Sequence, residues 1–177
     1  YAKTFVQIFG FRSLTPGARA VFAGRAQVGL ARGFERTAPV LDATGEPVVL
    51  AGGALVTQVV ADLPASQRFF AGGGSTVRGF QLDRLGVPEI LNADGLSRGG
   101  NGLIVLNAEL RTSAASLLGR TLSVVGFADG GNVFEQAGDV DLSRLRAALG
   151  FGVRYDSPLG PIRLDFGFKL NRRMIRG

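Results

Sequence analysis

"GPIRLDFGFKLN", residues 160–171, alternates with period two from end to end. Ile162, Leu164, Phe166, Phe168 and Leu170 fall on one face, and Arg163, Asp165, Gly167, Lys169 and Asn171 on the other. An extended chain, whose successive side chains point to opposite sides, sorts residues in this way, and a helix does not. The stretch therefore predicts a strand with one wholly apolar side.

The same pattern recurs upstream. In "LRAALGFGVRYD" (145–156), Leu145, Ala147, Leu149, Phe151, Val153 and Tyr155 oppose Arg146, Ala148, Gly150, Gly152, Arg154 and Asp156. In "GLIVLNAELRT" (102–112), Ile104, Leu106, Ala108 and Leu110 oppose Val105, Asn107, Glu109 and Arg111. Three more strands are expected at 3–14, 19–34 and 121–134. In the second, Phe22, Ala26, Val28 and Leu30 share a face against Arg19, Arg25 and Gln27. Alternation is too poor in 3–14 to orient it. In 121–134, Asp129 shares parity with Ser123, Val125 and Phe127, opposite Leu122, Val124 and Ala128, so neither face reads as polar.

These runs are well beyond the usual soluble strand of about 5 or 6 residues. They suit a membrane-crossing strand, which needs about 9 to 11 residues at a tilt, with apolar side chains outward and small or polar ones inward. A soluble sandwich shows the same alternation with its apolar face inward, so periodicity alone does not separate the two. The links do. They run short (15–17), very long (35–101), short (113–119), medium (135–143) and short (157–160), which in an up-and-down meander gathers tight turns at one end and long loops at the other.

Composition narrows the chemistry. The chain has 177 residues, 20 Lys plus Arg against 14 Asp plus Glu, and neither cysteine nor histidine. Without those two residue types there is no Cys/His zinc site, thiol nucleophile or serine–histidine relay, so metal or hydrolytic catalysis would have to rest on carboxylates, Lys or Arg; no catalytic residue, metal or cofactor is singled out. A net charge of +6 with scattered basic residues and no aromatic-basic motif argues against nucleic acid as a partner. Glycine, 27 residues, is abundant, yet 46% hydrophobic content argues against disorder. No apolar run approaches the roughly 18 to 20 residues of a membrane helix.

The segment 35–101 is too long for an ordinary loop and must be ordered by something. It contains "VVLAGGALVTQVV" (48–60), expected to form a small hairpin, and "GGGSTVRGF" (72–80). A phosphate cradle would need a lysine after the glycines or a following helix, and neither is present. Phe69, Phe70, Val77 and Phe80 lie so close together that a freely solvated loop is a poor account of them.

"LPASQRFFAGGGSTVRGF" (63–80) resembles the sixth-loop signature of the bacterial outer-membrane assembly and secretion barrels, the superfamily of BamA, TamA and the two-partner-secretion translocators. "GFADGGNVF" (126–134) is similar to its aromatic-x-Asp-x-Gly strand motif, and "GFGVRYDSPLGPIRLDFGFKL" (150–170) to its final-strands motif, in wording nearest the TamA-like members. The resemblance implies an all-β, antiparallel up-and-down transmembrane barrel whose long loop folds back into the lumen. It implies a loop latch of Val77, Arg78, Gly79 and Phe80, with Arg78 pairing to Glu109 and Asp129, supported by Gly73, Gly74, Phe127 and Gly131.

Family members carry POTRA modules before a sixteen-stranded barrel that ends on an aromatic residue. Here about six strands are present and the end reads "NRRMIRG". Residues 1–177 are thus expected to be a C-terminal barrel portion without its last strand, and without a POTRA domain. The implied function is assembly, insertion or translocation of other outer-membrane or secreted proteins, without bond-making chemistry, in the bacterial outer membrane. The implied partners are outer-membrane lipid, client proteins and an inner-membrane or periplasmic partner reached through further N-terminal domains. Alternatives are a barrel anchor for a patatin-like phospholipase and a passive porin-like barrel.

Overall fold

A computed structural model describes residues 1–170; Asn171, expected to continue the last strand, lies outside them. The main sheet is antiparallel, in the order β1 (Ala2–Ser13), β2 (Ala20–Arg32), β5 (Gly102–Leu117), β6 (Arg120–Phe134), β7 (Arg146–Ser157) and β8 (Gly160–Lys169). Each strand pairs with its neighbour in sequence, except that the long loop intervenes between β2 and β5. That loop carries a separate ribbon, β3 (Arg36–Pro39) with β4 (Thr57–Val60).

Two expectations need correction. "SAASLLG" is mostly strand: β5 runs on to Leu117, leaving only Leu118 and Gly119 to turn before β6. The stretch is Ser- and Ala-rich and does not alternate cleanly, and a register shift between Ser113 and Ala115 absorbs one residue before pairing resumes at Ala115↔Leu122. The hairpin expected within 48–60 is also larger than that span. Val49 pairs with Leu55, but Thr57–Val60 reaches out of the stretch to pair with Arg36–Pro39.

Register carries one face across the whole sheet. The outward row Phe22, Leu110, Gly126, Phe151, Phe166 is aligned by successive pairings, and its large side chains remain exposed. The opposite face is covered by the long loop. Leu63, Phe69, Val77, Leu85, Val87 and Ile90 of the loop are buried against Ala31, Leu103, Val105, Val133, Phe134 and Ala148 of the sheet. Fully burying one such aliphatic or aromatic side chain contributes about 1.5 to 3 kcal/mol, which is what orders a connection of this length.

The loop also orients β1, for which alternation is uninformative. Phe5 stacks on Phe69 with ring centroids 6.3 Å apart, and Lys3 Nζ lies 4.6 Å from the Phe69 ring centre. Odd-numbered residues of β1 therefore share the covered face. Gly29 opposite Phe5 has no side chain because Phe69 occupies that space: a Cβ there would fall 2.7 Å from the ring.

Candidate functional site

Residues 72–80 form the tip of the long loop, laid on the inner face of the sheet. Gly72, Gly73 and Gly79 have φ values of 116°, 86° and 84°, a region that strains any residue with a Cβ. Thr76 closes the turn: its Oγ1 accepts from the Gly72 amide at 2.7 Å and donates to the Gly72 carbonyl at 2.9 Å. The backbone is thereby bent so that Val77 faces the sheet and Arg78 points along it.

Arg78 is buried and fully engaged. Its Nε donates to Asp129 Oδ2 at 2.6 Å, its Nη2 to Asp129 Oδ1 at 2.7 Å, and its Nη1 to Glu109 Oε1. The Arg78 backbone amide adds a bond to Asp129 Oδ2 at 3.0 Å. Below it, the Phe127 ring centre lies 3.6 Å from the guanidinium carbon, close enough for a cation–π contact. Burial alone would lower the Arg78 pKa, but the hydrogen bond and charge of Asp129, with those of Glu109, raise it above the ordinary value.

Register explains how four strands serve one arginine. Asn107 pairs with Asp129 and Glu109 with Phe127, so both acids and the aromatic floor lie within one patch of β5 and β6. Phe127 pairs in turn with Gly150, and Gly150 with Gly167. A Cβ on Gly150 would fall 2.3 Å from the Phe127 ring, and one on Gly167 would fall 2.7 Å from the Gly79 amide nitrogen. The two glycines are the space that the Phe127 ring and the loop backbone fill. Gly131 serves Val77 likewise, since a Cβ there would lie 2.9 Å from Val77 Cγ2.

Of the residues singled out in the sequence, Phe80 lies outside this patch. Phe80 packs beyond the latch, under Arg146 and Lys169, whose cationic centres lie 5.4 and 5.0 Å from its ring. Gly74 contributes only its carbonyl. Asp129, whose face was ambiguous in sequence, points inward with its side chain wholly buried.

Several further residues belong to the site, although in the sequence only their place on a polar face marks them. Three consecutive carbonyls of the tip accept from three different strands: Gly74 from Arg163 Nη2 of β8 at 3.2 Å, Ser75 from Arg25 Nη2 of β2 at 2.6 Å, and Thr76 from Asn107 Nδ2 of β5 at 2.7 Å. Asn107 also donates to Asp129 Oδ1 at 2.8 Å. Asp165 holds Arg154 and Arg163 and approaches Arg78 Nη1 at 3.6 Å. The only signal for these was their parity with Glu109.

The chemistry is that of a fastening. Each of the six carboxylate oxygens of Glu109, Asp129 and Asp165 accepts from a guanidinium: Arg78, Arg111, Arg154 or Arg163. Such charge-assisted hydrogen bonds are strong and directional, and they fix the guanidiniums and acids relative to one another.

This arrangement of loop tip and strand acids coincides with a family-wide match: residues 1–174 fit the model of the Omp85 superfamily domain. The chain belongs to the Omp85 superfamily. Membership places it in the bacterial outer membrane, a setting in which the exposed apolar face of the sheet is the one suited to lipid. It is 27% identical over 121 residues to the outer membrane protein assembly factor BamA of Nitratidesulfovibrio vulgaris, covering 68% of this chain and 15% of that protein. Its fold is similar to the crystal structure of BamA from Haemophilus ducreyi lacking POTRA domains 1–3, with a TM-score of 0.68 at 18% identity over 97% of this chain and 32% of the other. The Omp85 domain here thus spans a minor part of the length of both relatives.

Proposed function

We propose that this domain is barrel wall and latch of a factor that assembles, inserts or translocates other outer-membrane or secreted proteins, and that it makes and breaks no covalent bond. The observation that carries the reading is the burial of Arg78 between Asp129 and Glu109 at the tip of the long loop. A buried arginine with two acids is costly to build and holds firmly once built. Its use is to keep a long loop in one place until something displaces it. The wording of the final-strands motif favours a TamA-like branch.

Substituting Arg78→Ala in the full-length protein tests this reading. The expected outcome is a barrel that still forms, a loop cut more readily by protease, and impaired assembly or secretion of clients. Unchanged client assembly together with unchanged loop cleavage would overturn it.

A further inference from the structure

All three tight turns of the main sheet carry a leucine in the turn: Leu14 between β1 and β2, Leu118 between β5 and β6, and Leu159 between β7 and β8. Leu118 and Leu159, at 87% and 101% exposed, are almost without protein neighbours, and Leu14 is about half exposed at 52%. Leu118 is the more telling because its φ of 52° is left-handed. A two-residue turn with both central residues at positive φ calls for Asn, Asp or Gly, which adopt it at least cost and are at home in water. Leucine is the worse choice on both grounds if the turn faces water. It is the better choice if the turn meets something apolar.

The surface around the turns says what that is. The lipid-facing band continues to within a few residues of the tips, where Tyr155 pairs with both Leu122 and Ile162. Arg12 and Arg120 flank the tips on the same outward parity, both exposed and with no ion pair among the described residues. Apolar tips continuous with a lipid-facing band, fringed by unpaired guanidiniums, fit the boundary between acyl chains and phosphates. There leucine inserts and arginine reaches a phosphate oxygen.

We propose that the short-turn end of the sheet is a lipid-seated collar, with Leu14, Leu118 and Leu159 in the interfacial layer of the adjacent leaflet and Arg12 and Arg120 binding anionic phospholipid headgroups. The collar is independent of the latch. It shares with the proposed function only the lipid-facing assignment of the outer surface.

The test uses the full-length protein with a single cysteine at position 118 or 159 carrying an environment-sensitive fluorophore, reconstituted in vesicles of phosphatidylcholine alone or mixed with phosphatidylglycerol. The expected result is stronger quenching by a nitroxide near the lipid glycerol than by aqueous iodide, with a further shift toward the lipid quencher when phosphatidylglycerol is present. Arg12→Gln with Arg120→Gln should abolish that further shift while the barrel remains folded. Iodide quenching equal to that of the free dye in both vesicle types would overturn the proposal. So would shielding from both quenchers in both vesicle types, since the occupant would then be protein. A Leu118→Asn variant, labelled at 159, guards against a folding artefact: it should fold in detergent at least as well as the parent, yet lose part of the lipid quenching in vesicles.

Discussion

Gly79 of the loop lies directly on Gly167 of β8, so closely that a Cβ on either residue would fall within about 3 Å of the other's backbone. Backbone meets backbone here, and neither side has a flexible atom that could move aside. Gly167→Ala should lift the tip and destabilise the folded loop by about 1 to 3 kcal/mol, as overpacking does. Faster proteolysis within residues 72–80, with the barrel intact, is the measurement.

Asp129 and Glu109 should not be equivalent. The Asp129 side chain is fully buried and takes three bonds from Arg78, whereas Glu109 is 12% exposed and shares its charge with the more exposed Arg111. Removing one partner of a buried pair costs about 3 to 5 kcal/mol because the other charge is left stranded. Asp129→Asn is expected near that range and Glu109→Gln below it. Denaturant titrations of the full-length protein in detergent give the order, and a double-mutant cycle with Arg78→Ala isolates each coupling.

Arg25 and Arg163 should matter through the loop's position. Each donates one charged hydrogen bond to a tip carbonyl, worth about 1.5 to 3 kcal/mol if well formed. Arg25→Ala should exceed Arg163→Ala, because its bond to Ser75 is 2.6 Å against 3.2 Å to Gly74. Cleavage rates at the tip, compared with those at the β3–β4 ribbon as an internal reference, read the difference.

Phe69 anchors the base of the same loop. It fills the space over Gly29 and lies beside Phe5 and Lys3. Phe69→Ala should cost about 3 to 5 kcal/mol, the usual figure for a large aromatic removed from a packed site. The expected readout is loss of protease protection across the loop base and an environment change for a probe placed on β1.

Much of this molecule was legible because period two survives wherever lipid or loop imposes opposite demands on the two faces. Where both faces are apolar the signal fails. β1 has Phe5, Phe9 and Phe11 on the face that bears the loop, and Val6 and Ile8 on the other. Asp129 was unreadable for a related reason, since the loop covers its face with apolar contacts and leaves β6 mixed. The acids and arginine of the latch were reached through motif wording. Gly150 and Gly167 were not, because a glycine on a small or polar face gives no sign of what occupies the space it leaves. Nor do Arg25 and Arg163 leave a pattern, for a side chain that reaches a distant carbonyl needs only parity and length.

The paired carbonyls of Gly74 and Ser75 have one more consequence. Because Arg163 on β8 and Arg25 on β2 grip neighbouring peptide units, the chord across the wall from β2 to β8 is set by the length of two outstretched guanidine arms. The tip is thus placed like a caliper across the wall, and flattening or spreading the wall should stretch one of its two jaws first.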